Sequence, residues 1–137
     1  MILPSVVIDT NLFIAAFWNK RSASADILRA CLEGRLHLYY TEQIRREISL
    51  ILRNIKAPEH YRQDVNEILA RGTELTAVGN VHVVEDDPDD DKFLECALLA
   101  HADYLVTSDD HLLRLGSFEG TGILKPSELR RILRQAS

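Results

Sequence analysis

The 137 residues, 46% apolar and 27% charged, are enough for one domain around one core, and this balance excludes a disordered chain. No apolar run approaches the length of a membrane span and no signal-peptide pattern precedes the first strand, so a single cytoplasmic domain over 1–137 is expected. The formal net charge of −5 excludes a protein that coats nucleic acid by general attraction, although bound cations could neutralise acids at one local site.

Val6-Val7-Ile8 is a short β-branched run that predicts a buried strand, with Asp9-Thr10-Asn11 at its end. Leu12 to Trp18 follows as a helix with Asn11 as its cap. Ile27, Leu28, Cys31 and Leu32 recur at helical spacing between Ser24 and Glu33, and Gly34 supplies the stop. Leu36 to Tyr40 predicts a second strand. Thr41 caps a helix whose apolar face carries Ile44, Ile48, Ile51, Leu52 and Ile55; Glu47 lies at the edge of that face and Glu42 points to water. After Pro58 another helix turns Tyr61, Val65, Ile68 and Leu69 inward and ends at Gly72. Weak strand signals between Leu75 and Val84 surround Gly79-Asn80.

The stretch from Asp86 to Asp109 is the most informative. It opens on Asp86-Asp87-Pro88-Asp89-Asp90-Asp91, continues through the apolar helical set Phe93, Leu94, Ala97 and Leu98, and reaches a strand at Tyr104-Leu105-Val106 followed by Thr107-Ser108-Asp109-Asp110. Beyond it come a helical turn over 111–115, a loop from Gly116 to Gly122, a short strand at Ile123-Leu124 and a helix capped by Ser127. Cys31 and Cys96 sit among apolar neighbours and are expected to be buried free thiols. Alternating helices and short, continuously apolar strands predict an α/β fold, a three-layer α/β/α sandwich with a central, mainly parallel sheet.

Ligands bind such sheets at the carboxyl ends of the strands. Asp9 follows the first strand directly and Asp109 follows the strand at 104–106, so both project from that edge. The acidic helix starts there if it runs antiparallel to its following strand, and Glu47 is the carboxylate of the 41–55 helix able to turn inward. Four segments can thus deliver one carboxylate each to one pocket suited to Mg²⁺ or Mn²⁺. Each acid alone also has a plainer role. Asp9 fits a helix cap, Glu47 a solvated face, the 86–91 run a charged loop at a helix start, and Asp109 a turn. An EF-hand loop starting at Asp87 fails, because Lys92 stands where Gly belongs and Leu98 where Glu belongs.

The pieces VVIDTN (6–11), the Thr41-to-Glu47 helix, DPDDDKFLECA (87–97), ADYLVTSDDHLL (102–113) and ILKPSEL (123–129) together resemble the PIN-domain ribonucleases, and within them the toxins of toxin–antitoxin pairs related to the VapC type. That resemblance implies a Mg²⁺- or Mn²⁺-dependent endoribonuclease that hydrolyses RNA with a metal-activated water, a protein antitoxin as partner, and a homodimer. It implies metal ligands at Asp9, Glu47, one Asp of the 87–91 run, and Asp109. Spacing back from Asp109 favours Asp91; the Asp-Pro-x-Asp pattern favours Asp90, with Asp87 as an accessory, and Asp90 is preferred. Asn11, Thr107 and Ser108 resemble the polar groups that position acids or substrate, and His111 is set aside as a residue that packs or faces solvent. Arg45, Arg46 and Arg53 beside Glu47 are candidates for RNA backbone contacts. Three other readings stand beside this one. A haloacid-dehalogenase-like phosphatase would want an acid where Asn11 stands, and a receiver domain would want paired acids early in the chain. A PIN fold serving only as a scaffold that binds RNA or a partner would keep the same acids.

Overall fold

A computed structural model describes residues 3–77 and 90–136. The expected strand signals around Gly79-Asn80 and the acids Asp86, Asp87 and Asp89 lie outside the described residues. The first strand, β1, spans Ser5–Ile8. Successive strand residues face opposite sides, yet Val6, Val7 and Ile8 are all buried, so both faces of the sheet are covered.

The other strands are β2 (His37–Thr41), β3 (Thr73–Leu75), β4 (Tyr104–Val106), β5 (Ser117–Phe118) and β6 (Thr121–Leu124), in the spatial order β3-β2-β1-β4-β6-β5. All neighbours pair in parallel except β5 with β6. The chain therefore builds outward from β1 through β2 to β3, then returns to start β4 on the other side of β1. This reversal opens a crevice at the carboxyl ends of β1 and β4, where an open parallel sheet binds its ligands.

Seven helices flank the sheet among the described residues: α1 (Asn11–Trp18), α2 (Ala23–Leu32), α3 (Glu42–Asn54), α4 (Glu59–Arg71), α5 (Asp91–Ala100), α6 (Asp110–Leu113) and α7 (Pro126–Gln135). α5 packs along β1 to β4 with α3 beside it, while α2 packs on α1, α4 and α7. The expected sandwich of helices about a mostly parallel sheet is what the chain forms. Phe13 and Phe93 are among its largest fully or nearly fully buried side chains. Trimming either to alanine would cost about 3–5 kcal/mol by loss of burial and the cavity left behind. Cys31 and Cys96 are buried and free. Gly72 ends α4 as expected, and a Cβ there would lie 2.6 Å from the Leu38 carbonyl oxygen, so α4 could not meet β2 this closely with any other residue.

Three local expectations are corrected. The stretch Gly116 to Gly122 is not a plain loop: it contains β5 and the turn of a hairpin, with Glu119 and Gly120 both at positive φ, the backbone a two-residue hairpin turn needs. Asn11 is the first residue of α1 rather than its cap, and Thr10 holds the cap position. Ser127 lies inside α7, which starts at Pro126; a proline fits the first helical position because its missing N–H has no partner there anyway, and Glu128 instead accepts the Lys125 N–H at 3.0 Å.

Candidate active site

Parallel register sets Ile8 beside Val106 and Val106 beside Leu124. The ladder continues one residue further, with the Asp9 N–H donating to the Val106 carbonyl and the Thr107 N–H to the Leu124 carbonyl. Asp9 and Thr107 are thereby fixed next to each other at the crevice. The Thr107 hydroxyl donates to Asp9 Oδ2 at 2.7 Å and accepts the Asp109 N–H at 3.0 Å. Asp9 Oδ1 accepts the Asn11 N–H at 3.1 Å, so the capping role considered for Asp9 coexists with its place among the acids.

Asp9 is 3% exposed. Burial raises its carboxyl pKa, the hydrogen bonds from Asn11 and Thr107 lower it, and the charges of Asp109 and Glu47 raise it again; the balance is upward. Asp109 behaves differently. Burial would raise it too, but a hydrogen bond shared with Asp90, the His111 N–H, the His111 ring and the Leu112 N–H together hold it below the ordinary value. Its Oδ1 accepts the His111 N–H at 2.8 Å and thereby caps α6.

Asp90 immediately precedes α5 and is buried. One ligating atom each from Asp90, Asp109 and His111 lie within 4.8 Å of one another, a group that does not include Asp91 although Asp91 is buried as well. Asp87 lies outside the described residues. Glu47 reaches the same edge from α3, where it accepts a hydrogen bond from the Thr10 hydroxyl and pairs with Lys92 Nζ at 2.5 Å. The structure thus brings Asp90 and Asp109 together with His111, and sets Asp9 close enough for the charges of Asp109 and Glu47 to act on it.

Among the polar neighbours, Thr107 is fully buried and spends its hydroxyl on Asp9, whereas Asn11 and Ser108 are exposed beside the acids. Sequence reasoning missed two partners of Glu47, Thr10 and Lys92; the position of Thr10 between Asp9 and Asn11 was the available signal. It also set His111 aside as a residue that packs or faces solvent. Its Nδ1 is buried, without a hydrogen-bond partner among the described residues, and 3.6 Å from Asp109 Oδ1, which places it beside the acids. Of the arginines near Glu47, Arg45 pairs with Glu74 at 2.5 Å and Arg46 with Glu42 at 2.6 Å, so both are partly neutralised.

The donor set is chiefly carboxylate oxygen, which suits a hard divalent cation such as Mg²⁺ or Mn²⁺ and fits softer metals poorly. A separate cavity of about 260 Å³ is lined by Ala16, Leu28, Tyr61, Val65 and Ile68, with Asp64 as its carboxylate, and gathers no comparable group of acids.

A family model described as the PIN domain matches residues 5–111. No curated protein sequence is significantly similar to the chain. Among solved structures, VapBC2 from Rickettsia felis, bound to a DNA fragment from its promoter, superposes with a TM-score of 0.58 at 13% identity, covering 88% of this chain and 98% of that one. PAE2754 from Pyrobaculum aerophilum also gives 0.58 at 13% identity, covering 96% of this chain and 90% of that one.

Proposed function

The chain belongs to the PIN-domain family, and from that premise we propose that it is a Mg²⁺- or Mn²⁺-dependent endoribonuclease acting as the toxin of a toxin–antitoxin pair. One observation carries the reading: buried Asp90 and half-buried Asp109 come together at the switch point of the sheet, with buried Asp9 near enough to feel the charge of Asp109, so that the ends of three different elements each supply an acid. Burying several carboxylates in contact is costly unless something positive joins them. The shape shared with VapBC2 supports the toxin assignment, and the proposal extends to an antitoxin as partner and to a homodimer.

Asp9, Asp90 and Asp109 would hold the ion, with Glu47 at the margin. A divalent ion in such a site supplies Lewis-acid polarisation of the phosphodiester and makes water a stronger nucleophile at neutral pH. The chain's own groups do the positioning. Thr107 fixes the Asp9 carboxylate through Oδ2 and holds the Asp109 backbone, so a single hydroxyl sets two acids. Asp90 and Asp109 each bring an oxygen within 4.8 Å of the other, a spacing that one cation could bridge. His111 Nδ1 lies 3.6 Å from Asp109 Oδ1 at the edge of the site.

The test is to incubate the purified protein with RNA and with DNA of matched sequence. Cleavage of RNA in Mg²⁺ or Mn²⁺, abolished by EDTA and restored by added metal, is expected. Full cleavage in EDTA would remove the metal from the account, and cleavage of DNA alone would change the substrate.

A further inference from the structure

Lys92 is an odd residue to find at this place. It is the second residue of α5, where the partial positive charge of the helix start disfavours a cation. Its side chain is only 10% exposed, and its ammonium lies 5.1 Å from the centroid of the Phe93 ring. Helix stability alone would favour an acid here, and burial alone would favour an apolar residue. What the position offers a lysine is Glu47, 2.5 Å from Nζ.

Glu47 is engaged on both oxygens, Oε1 by the Thr10 hydroxyl and Oε2 by Lys92. Asp90 and Asp109 each place an oxygen within 4.8 Å of the other and of a His111 ring nitrogen. When ionised, Asp9, Glu47, Asp90 and Asp109 carry four negative charges, and Lys92 cancels the one at Glu47.

Building on the metal reading of the site, we infer that Lys92 is a built-in counter-cation. It occupies Glu47 and keeps this residue out of the ligand set, so that Glu47 and Lys92 form a neutral positioning pair bridging α3 and α5. The divalent ion is then left to Asp9, Asp90 and Asp109. This gives the two candidate ligand groups different jobs. The aspartates hold the ion, and Glu47 holds α5, whose start carries Asp90, at its distance from α3 and from Thr10.

The experiment titrates Mn²⁺ into the full chain by calorimetry, a readout independent of cleavage. Lys92→Met frees a carboxylate and removes a repelling charge, so Mn²⁺ should bind about tenfold tighter or more, the scale on which ligands and their partners affect metal affinity. Lys92→Arg should keep the wild-type affinity, because the charge is retained. The double variant Lys92→Met/Glu47→Gln removes the pair as a neutral unit, which a fold tolerates better than removing one buried partner. It should bind Mn²⁺ within about threefold of wild type, whereas loss of a true ligand would weaken binding by more than about tenfold. Unchanged or weaker binding in Lys92→Met overturns the inference. So does a loss beyond about tenfold in the double variant, which also decides the matter if Lys92→Met does not fold. Binding by Lys92→Met but not by wild type would support the inference in its strongest form. Binding by neither would remove the metal reading and this inference with it.

Discussion

Two groups of acids in this molecule have opposite surroundings. Asp26 on α2 is met by three guanidinium groups: Arg29 one turn on, and Arg130 and Arg134 from α7 at 3.3 and 3.7 Å. Although what burial it has pushes upward, the hydrogen bonds and charges of Arg29 and Arg130 hold its carboxyl below the ordinary value. At the carboxyl edge of the sheet the ratio is reversed: Asp90 lies by Asp109, Asp9 feels the charges of Asp109 and Glu47, and Lys92 pairs with Glu47. There Asp9 is pushed upward by burial and by the neighbouring negative charges. The first group is complete within the chain and ties two helices together. The second meets fewer cationic side chains among the described residues, a setting in which an added cation would stabilise the fold.

The contrast is broken most severely by removing a ligand. Asp90→Asn should lower RNA cleavage by orders of magnitude, whereas Asp91→Asn, outside the group formed with Asp109 and His111, should lower it about 10–100-fold, as loss of an outer partner does. Cleavage rates of the two variants under saturating Mn²⁺ check this. A larger loss at Asp91 would keep the chemistry and move the ligand by one residue.

A smaller effect is expected in stability. The Asp9 pKa is raised in the fold, so its ionised form costs stability at neutral pH. As the pH falls through the raised value towards 3.8, the folded chain takes up the proton before the unfolded chain does, and that cost disappears. Asp109 and Asp26 have lowered values and work the other way: their contributions are present above 3.8 and are lost as the pH falls through their folded values. In EDTA, Asp9→Asn should therefore melt higher than wild type at neutral pH, with the gap closing on acidification. A variant that melts lower at every pH would show that the hydrogen bonds to Asn11 and Thr107 outweigh the repulsion.

The smallest effect belongs to the balanced group. Asp26→Asn weakens partly exposed ion pairs worth about 1 kcal/mol or less, a fall of roughly 3–4 °C in melting temperature, with cleavage unchanged. A loss of activity there would mean that the two groups are not independent.

The same contrast explains what could be seen in the sequence. Val6-Val7-Ile8 and Tyr104-Leu105-Val106 announce buried strands because a doubly covered sheet needs unbroken apolar runs, and Asp9 and Asp109 take their places from those strands. The β5–β6 hairpin was hidden because its first strand has only Ser117 and Phe118 and its turn begins with a glutamate. The Lys92–Glu47 pair and the place of His111 were hidden for another reason. They depend on how α3, α5 and α6 meet at the sheet edge, and no local periodicity encodes a contact between residues 45 positions apart.

Adding Mn²⁺ while following thermal unfolding tests the central claim most directly. At 100 times the dissociation constant, a ligand of the folded state adds about 2.7 kcal/mol, a rise of roughly 9 °C for a chain of this size. The account predicts that wild type and Asp26→Asn gain this increment and that Asp109→Asn does not. An equal gain in Asp109→Asn, or no gain in wild type, would contradict it.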